Sequence, residues 1–130
     1  MNIREFFGHA SDMAAIRALM MRYKLALDQA DVDGVLRCHA AADHISAVTL
    51  DSAYYGPKGV RAFFERLFSP AVREDQSRPA HSFHIAIHDD TASLILEHEM
   101  RLLRPAPHTL ACRISFHLIR EEKEWRILSS

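Results

Sequence analysis

Cysteine is scarce in this chain: Cys38 and Cys112 stand far apart, and neither belongs to a C-x-x-C pair. The spacing of a zinc or redox site is therefore missing, and two buried, reduced thiols are expected. Long apolar runs are missing too. No window approaches the roughly 18 uninterrupted apolar residues that a bilayer span needs, so a soluble protein without a membrane partner is expected. Met1 to His9 mixes Arg4 and Glu5 with Phe6 and Phe7 and lacks the basic start, apolar run and cleavage site of a secretory signal, which leaves the cytoplasm as the expected location. Neither sign of charge dominates. With 16 Lys plus Arg against 17 Asp plus Glu, the net charge of −1 offers no footprint for a phosphate backbone, and nucleic acid is not an expected partner. With only four glycines, the chain contains no nucleophile elbow of the Gly-x-Ser-x-Gly kind, no phosphate loop and no Gly-x-Gly-x-x-Gly fingerprint, so no cofactor is expected.

What is present is ordinary globular composition in 130 residues, enough for one hydrophobic core, and residues 1–130 are read as a single domain. From Asp12 to Ala30, Ile16, Leu19, Met20, Tyr23 and Leu27 recur at helical spacing, with Ser11 or Asp12 placed to cap the start. Asp31 reads as a second N-cap, followed by a short helix whose buried stripe is Val32, Val35, Leu36 and His39. The β-branched stretch His44 to Leu50 predicts a strand. Gly56-Pro57 then opens a third helix with an aromatic face of Phe63, Phe64 and Phe68. Ser69 to Ala80 has the composition of a surface loop that could serve as a lid. Beyond it the period becomes two, predicting strands over His81–Ile87, Thr91–Leu103, His108–Ile119 and Trp125–Ser129. Helices first and a sheet after them predict an α+β layering with the helices covering one face of the sheet; the fold expected is a curved antiparallel sheet wrapped around a long helix to leave an apolar pocket.

Strand parity sorts the nine histidines. His81 shares a face with Phe83, Ile85 and Ile87, and His98 with Leu94, Leu96 and Met100, so both are expected inside. His39 and His44 read as structural, and His9, His84, His88, His108 and His117 as exposed or edge-facing. His84 and His88 lie about 13 Å apart on one strand, with His81 on the opposite face, so no metal site is expected.

Met21 to Gly34 resembles the opening of SnoaL-like proteins in the nuclear transport factor two-like superfamily. Gly56-Pro57-Lys58-Gly59-Val60 resembles that family's Gly-x-x-Gly helix entry, and Trp125-Arg126-Ile127 its closing strand. The resemblance runs from about Met13 to Leu128 and implies a cone-shaped α+β barrel, often a homodimer through its sheet. Scytalone dehydratase and bile acid dehydratase relatives bring together a tyrosine and an aspartate of the first helix with a histidine beginning a later strand. The matching positions here are Tyr23, Asp28 and His81. The resemblance implies His81 as general base and acid, Asp28 as the carboxylate that orients it, and Tyr23 as donor to a developing enolate oxygen. The pattern departs at Ala47, where scytalone dehydratase has a further tyrosine. Against steroid isomerase, the base position falls at about Val48 and the partner acid at about Ser115.

Asp28 lies about 140° around the helix from Tyr23, so the two reach one cavity only if the elbow before Asp31 turns that flank toward the sheet. Phe63, Phe64, Phe68, Phe83 and Trp125 supply apolar walls, with His98 as a further lining residue, and suit a polycyclic or aromatic ligand. The expected function is that of a cofactor-free lyase (dehydratase) or isomerase acting on a small apolar carbonyl compound. A non-catalytic ligand-binding or dimerisation module on the same fold is the alternative.

Overall fold

A computed structural model describes residues 3–41, 43–49, 52–69, 82–102, 106 and 108–130. The loop expected over 69–80, beyond Ser69, and His81 lie outside the described residues, as do the side chains of His98 and Cys112. The order is α1 (Ile3–Asp28), α2 (Val32–Arg37), β1 (Ser46–Val48), β2 (Ala53–Tyr55), α3 (Gly56–Leu67), β3 (Ser82–His88), β4 (Thr91–Leu102), β5 (His108–Glu121) and β6 (Glu124–Ser129). The strands form one six-stranded, curved, unclosed sheet in the order β2-β1-β6-β5-β4-β3, packed against the helices as an α+β fold. All neighbours are antiparallel except β1 and β6, which meet in parallel at Ser46 and Ser129. Among the described residues no helix is long and apolar enough to cross a membrane.

α1 begins well before Asp12, which corrects the expected cap. A cap satisfies backbone N–H groups, whereas here the Asp12 carboxylate is taken by partners distant in sequence: Oδ1 accepts from Trp125 Nε1 at 3.1 Å and from Arg120 Nη1 at 2.9 Å. The far end of α1 stops in a Schellman turn, with Ala30 at a φ of 53° and hydrogen bonds from Ala30 N to Leu27 O and from Asp31 N to Ala26 O. Asp31 caps α2 as expected, accepting from Gly34 N at 3.0 Å. Gly34 is needed there, because a Cβ would lie 2.5 Å from the Asp31 carboxylate. The short strand β2, not foreseen, is turned into α3 by Gly56 at a φ of 75°, while Gly56 N donates to Ile45 O.

The core lies between α1, α3 and the concave face of the sheet. α1 contributes Ile16, Leu19, Met20, Tyr23 and Ala26, and α3 contributes Val60 and Phe64. The sheet answers with Ala92, Leu94, Phe116, Leu118, Trp125 and Ile127. Parity holds across the described strands: Phe83, Ile85 and Ile87 pack on the core while His84, Ala86 and His88 are exposed.

Candidate functional site

Two groups of polar side chains are drawn toward the core, one at each end of α1. The C-terminal group is built around Tyr23, which helical spacing from Ile16, Leu19 and Met20 carries onto the buried stripe. Its ring meets Phe116 of β5 edge-on at 5.6 Å between centroids, Phe64 of α3 at 6.3 Å, and His39 at 6.4 Å. Burial is the main reason the phenol sits well above its usual pKa, so it stays protonated and keeps its O–H as a hydrogen-bond donor at physiological pH.

His39 follows α2 and is 5% exposed. The backbone around it is locked to β6 by hydrogen bonds from Ala40 N to Ile127 O and from Ile127 N to Cys38 O. Its Nδ1 lies 2.9 Å from Val35 O. A carbonyl only accepts, so Nδ1 carries the hydrogen and Nε2 presents a bare lone pair. Nε2 is fully buried and has no hydrogen-bond partner among the described residues. Burial holds the imidazole below its ordinary pKa, opposed in part by the hydrogen bond to Val35.

This shift has a sign that can be checked. The unfolded chain takes up a proton at His39 near pH 6.5, as a model histidine does, whereas the fold resists it. The neutral ring's contribution to stability is therefore complete above about pH 6.5 and fades as the pH falls below it. Tyr23 and Cys38, both pushed upward by burial, keep their protons throughout that window. Urea midpoints measured from pH 7 to pH 5 should fall more steeply for the native chain than for His39→Phe. Parallel curves would show that His39 charges as freely in the fold as outside it.

The residues singled out from the sequence are distributed as follows. Tyr23 and Phe64 meet in the aromatic group, and Phe63 stacks beside them at 4.9 Å from Phe64 and 5.2 Å from Tyr54. Phe83 is half-buried on β3, its backbone paired with Leu96. The His98 backbone pairs with Cys112 in the β4–β5 ladder. Asp28 closes α1 on the outer flank, 2.8 Å from Lys24 Nζ, with its side chain 42% exposed. Trp125 is buried at the opposite end, beside Asp12, some eleven residues or about 16 Å along the helix from Tyr23. There Arg120 stacks over the indole at 5.5 Å and ties Asp12 to Asp90. A cleft of about 510 Å³ opens beside this cluster, lined by Ser11, Asp12, Asp90, Arg120, Lys123 and Trp125. Among the described residues no three His, Cys, Asp or Glu side chains are grouped to hold a metal ion.

His39 and Phe116 are the members of the aromatic group that sequence reasoning passed over. Helical spacing was a usable signal for the Nδ1 contact with Val35, four residues earlier. Nothing local could show that the other ring nitrogen would be sealed in without a partner.

The SnoaL-like domain profile matches residues 8–130, nearly the whole chain. The chain belongs to the SnoaL-like domain family. No curated protein matches this SnoaL-like chain in sequence. Among solved structures it is similar to a proposed dehydratase of the nuclear transport factor two-like family from Streptomyces avermitilis, at 12% identity and a TM-score of 0.74 over 92% of this chain and 93% of that one. A proposed aromatic ring hydroxylase from Novosphingobium aromaticivorans gives 23% identity and 0.72 over 92% and 86%. A cystatin-like-fold protein from Nostoc punctiforme gives 16% and 0.74 over 92% and 88%. At these identities the likeness establishes the SnoaL-like fold, which hosts several kinds of chemistry and of binding.

Proposed function

We propose that this SnoaL-like protein is a cofactor-independent lyase of the dehydratase kind, or an isomerase, acting on a small apolar carbonyl compound held between α1 and the sheet. The observation that carries the reading is Tyr23: a buried phenol, kept protonated, aimed among Phe64, Phe116 and the neutral ring of His39. A donor fixed in a water-poor box stabilises the oxyanion that forms when a proton leaves the carbon next to a carbonyl. In this proposal His81 takes and returns that proton and Asp28 orients it, as the resemblance implies. The lining roles expected of Phe63, Phe64, Phe83, His98 and Trp125 belong to the same proposal, with an aromatic or polycyclic substrate. The sheet's outer face presents His84, Ala86, Ser93, Ile95, Ser115 and His117 with little net charge, and is the surface proposed to pair two copies.

A second reading, a binding module without turnover, is favoured by the exposure of Asp28, whose side chain is 42% accessible and ion-paired with Lys24. The two readings separate on one experiment. Mass spectrometry of the denatured, purified chain identifies the molecule that it carries, and that molecule or its precursor is assayed with Asp28→Asn and His81→Gln. The enzyme loses at least tenfold in turnover with little change in ligand affinity. Undiminished turnover in both variants overturns the roles of Asp28 and His81, and a native chain that binds without converting its ligand is the module.

A further inference from the structure

The long helix α1 is apolar on two sides. At about 100° per residue, Ala14, Ala18, Met21 and Leu25 fall within about 60° of one another, opposite the stripe of Ile16, Leu19 and Tyr23 that meets the core. The side chains of this second stripe are exposed, Met21 at 73% and Leu25 at 57%, whereas the outward face of a surface helix is ordinarily polar. It runs about 16 Å along the helix and is graded in size, two small residues followed by two large ones. Its flanks are basic, with Arg17 and Lys24 on one side and Arg22 on the other. Asp28, the acid beside the stripe, is taken up by Lys24 at 2.8 Å. Neither Arg17 nor Arg22 is held by a hydrogen bond or an ion pair among the described residues.

We propose that this outer stripe of α1 docks an amphipathic helix of a partner protein, one whose apolar stripe is flanked by aspartates or glutamates and is large where α1 is small. The inference is independent of the chemistry proposed for the pocket. Charge selects this occupant over a second copy of the chain: two copies of α1 packed stripe to stripe, in either direction, set basic flanks against basic flanks. Size selects it over an anionic lipid surface. A bilayer is gripped by bulky residues along the whole apolar face, whereas Ala14 and Ala18 leave room for the side chains of a helix packed at the usual separation of about 8–10 Å between axes. One helix over this length covers less than a standard interface of roughly 1,600 Å², so the partner is bound weakly and released readily.

The probes are two synthetic peptides of about 18 residues, long enough to hold a helix, which share a stripe of leucine and alanine and differ only in flanks of glutamate or of lysine. Each carries a fluorophore and is titrated with the full-length chain, and binding is read by anisotropy. The glutamate-flanked peptide is expected to bind roughly tenfold more tightly than the lysine-flanked one, with the gap narrowing as salt is added. Combining Arg17→Glu with Arg22→Glu should turn that preference round. Leu25→Ser should weaken the glutamate-flanked peptide about fivefold and leave thermal unfolding of the chain close to native, because the side chain is largely exposed. Binding of neither peptide, equal affinities, or a preference untouched by the charge reversal would each overturn the proposal. So would sedimentation showing self-association that Leu25→Ser abolishes, which gives the stripe to a second copy. Vesicles of phosphatidylserine and phosphatidylcholine that retain the native chain and release Leu25→Ser would give it to a bilayer instead, with the same consequence.

Discussion

Tyr23→Phe is expected to lower kcat about 100- to 1,000-fold while KM changes far less, the loss typical of removing one preorganised donor to an oxyanion. The phenol is worth this much only where it is buried and protonated. Both conditions follow from its position: the apolar stripe of α1 carries it inward, and burial keeps its proton in place. Phenylalanine retains the edge-on contacts with Phe64, Phe116 and His39, so thermal unfolding of the variant should stay close to that of the native chain. That combination, slow chemistry in an undisturbed fold, is the signature to look for, with single-turnover kinetics separating the chemical step from product release. A variant that loses only a few fold in kcat would take Tyr23 out of the reaction and leave it as a packing residue. A variant that unfolds early would show the hydroxyl to be structural.

Asp12→Ala is expected to be the costliest change at the other end of α1. The indole N–H of Trp125 is buried in a residue 3% exposed and is held by Asp12 Oδ1. Alanine strands that donor, a loss of about 1–3 kcal/mol out of a total stability of about 5–15 kcal/mol. Arg120 keeps its bonds to Asp90 and reaches solvent, so the broken ion pair adds little. Asp12→Asn, which preserves an oxygen for the indole, should recover most of the loss. Trp125 is the chain's single tryptophan, so its fluorescence in a urea titration reports directly on this cluster. Midpoints for Asp12→Ala that match the native chain would mean that the cluster does not hold α1 to the β5–β6 hairpin.

The limits of sequence reading show in these same residues. Asp12 has the chemistry of a helix cap and stands where the apolar period begins, so local rules assign it to the first backbone amides. The fold instead brings β5 and β6 past it, and long-range donors outcompete a local turn. His39 reads as part of a short helix's buried stripe, and so it is. The orphaned nitrogen arises because α1, α3 and β6 close around the ring together, a coincidence of three elements that no spacing records. Asp28 lies where its angle around α1, about 140° from Tyr23, set it, on a flank where Lys24 Nζ meets its carboxylate.

Periodicity, turn chemistry and the order of elements were enough, from the sequence by itself, to determine an α+β fold with α1 on a curved sheet and the inward faces of β3, β4 and β5. These are properties of neighbours in the chain, and hydrophobic burial enforces them one element at a time. Which inward side chains pack together, which nitrogen of His39 keeps its proton, and that the Asp12 carboxylate meets an indole and a guanidinium rather than a helix start were decided only by the tertiary structure. Those outcomes depend on distances of a few ångströms between segments up to about a hundred residues apart, where hydrogen bonds are short-ranged and directional and the sequence period carries no information.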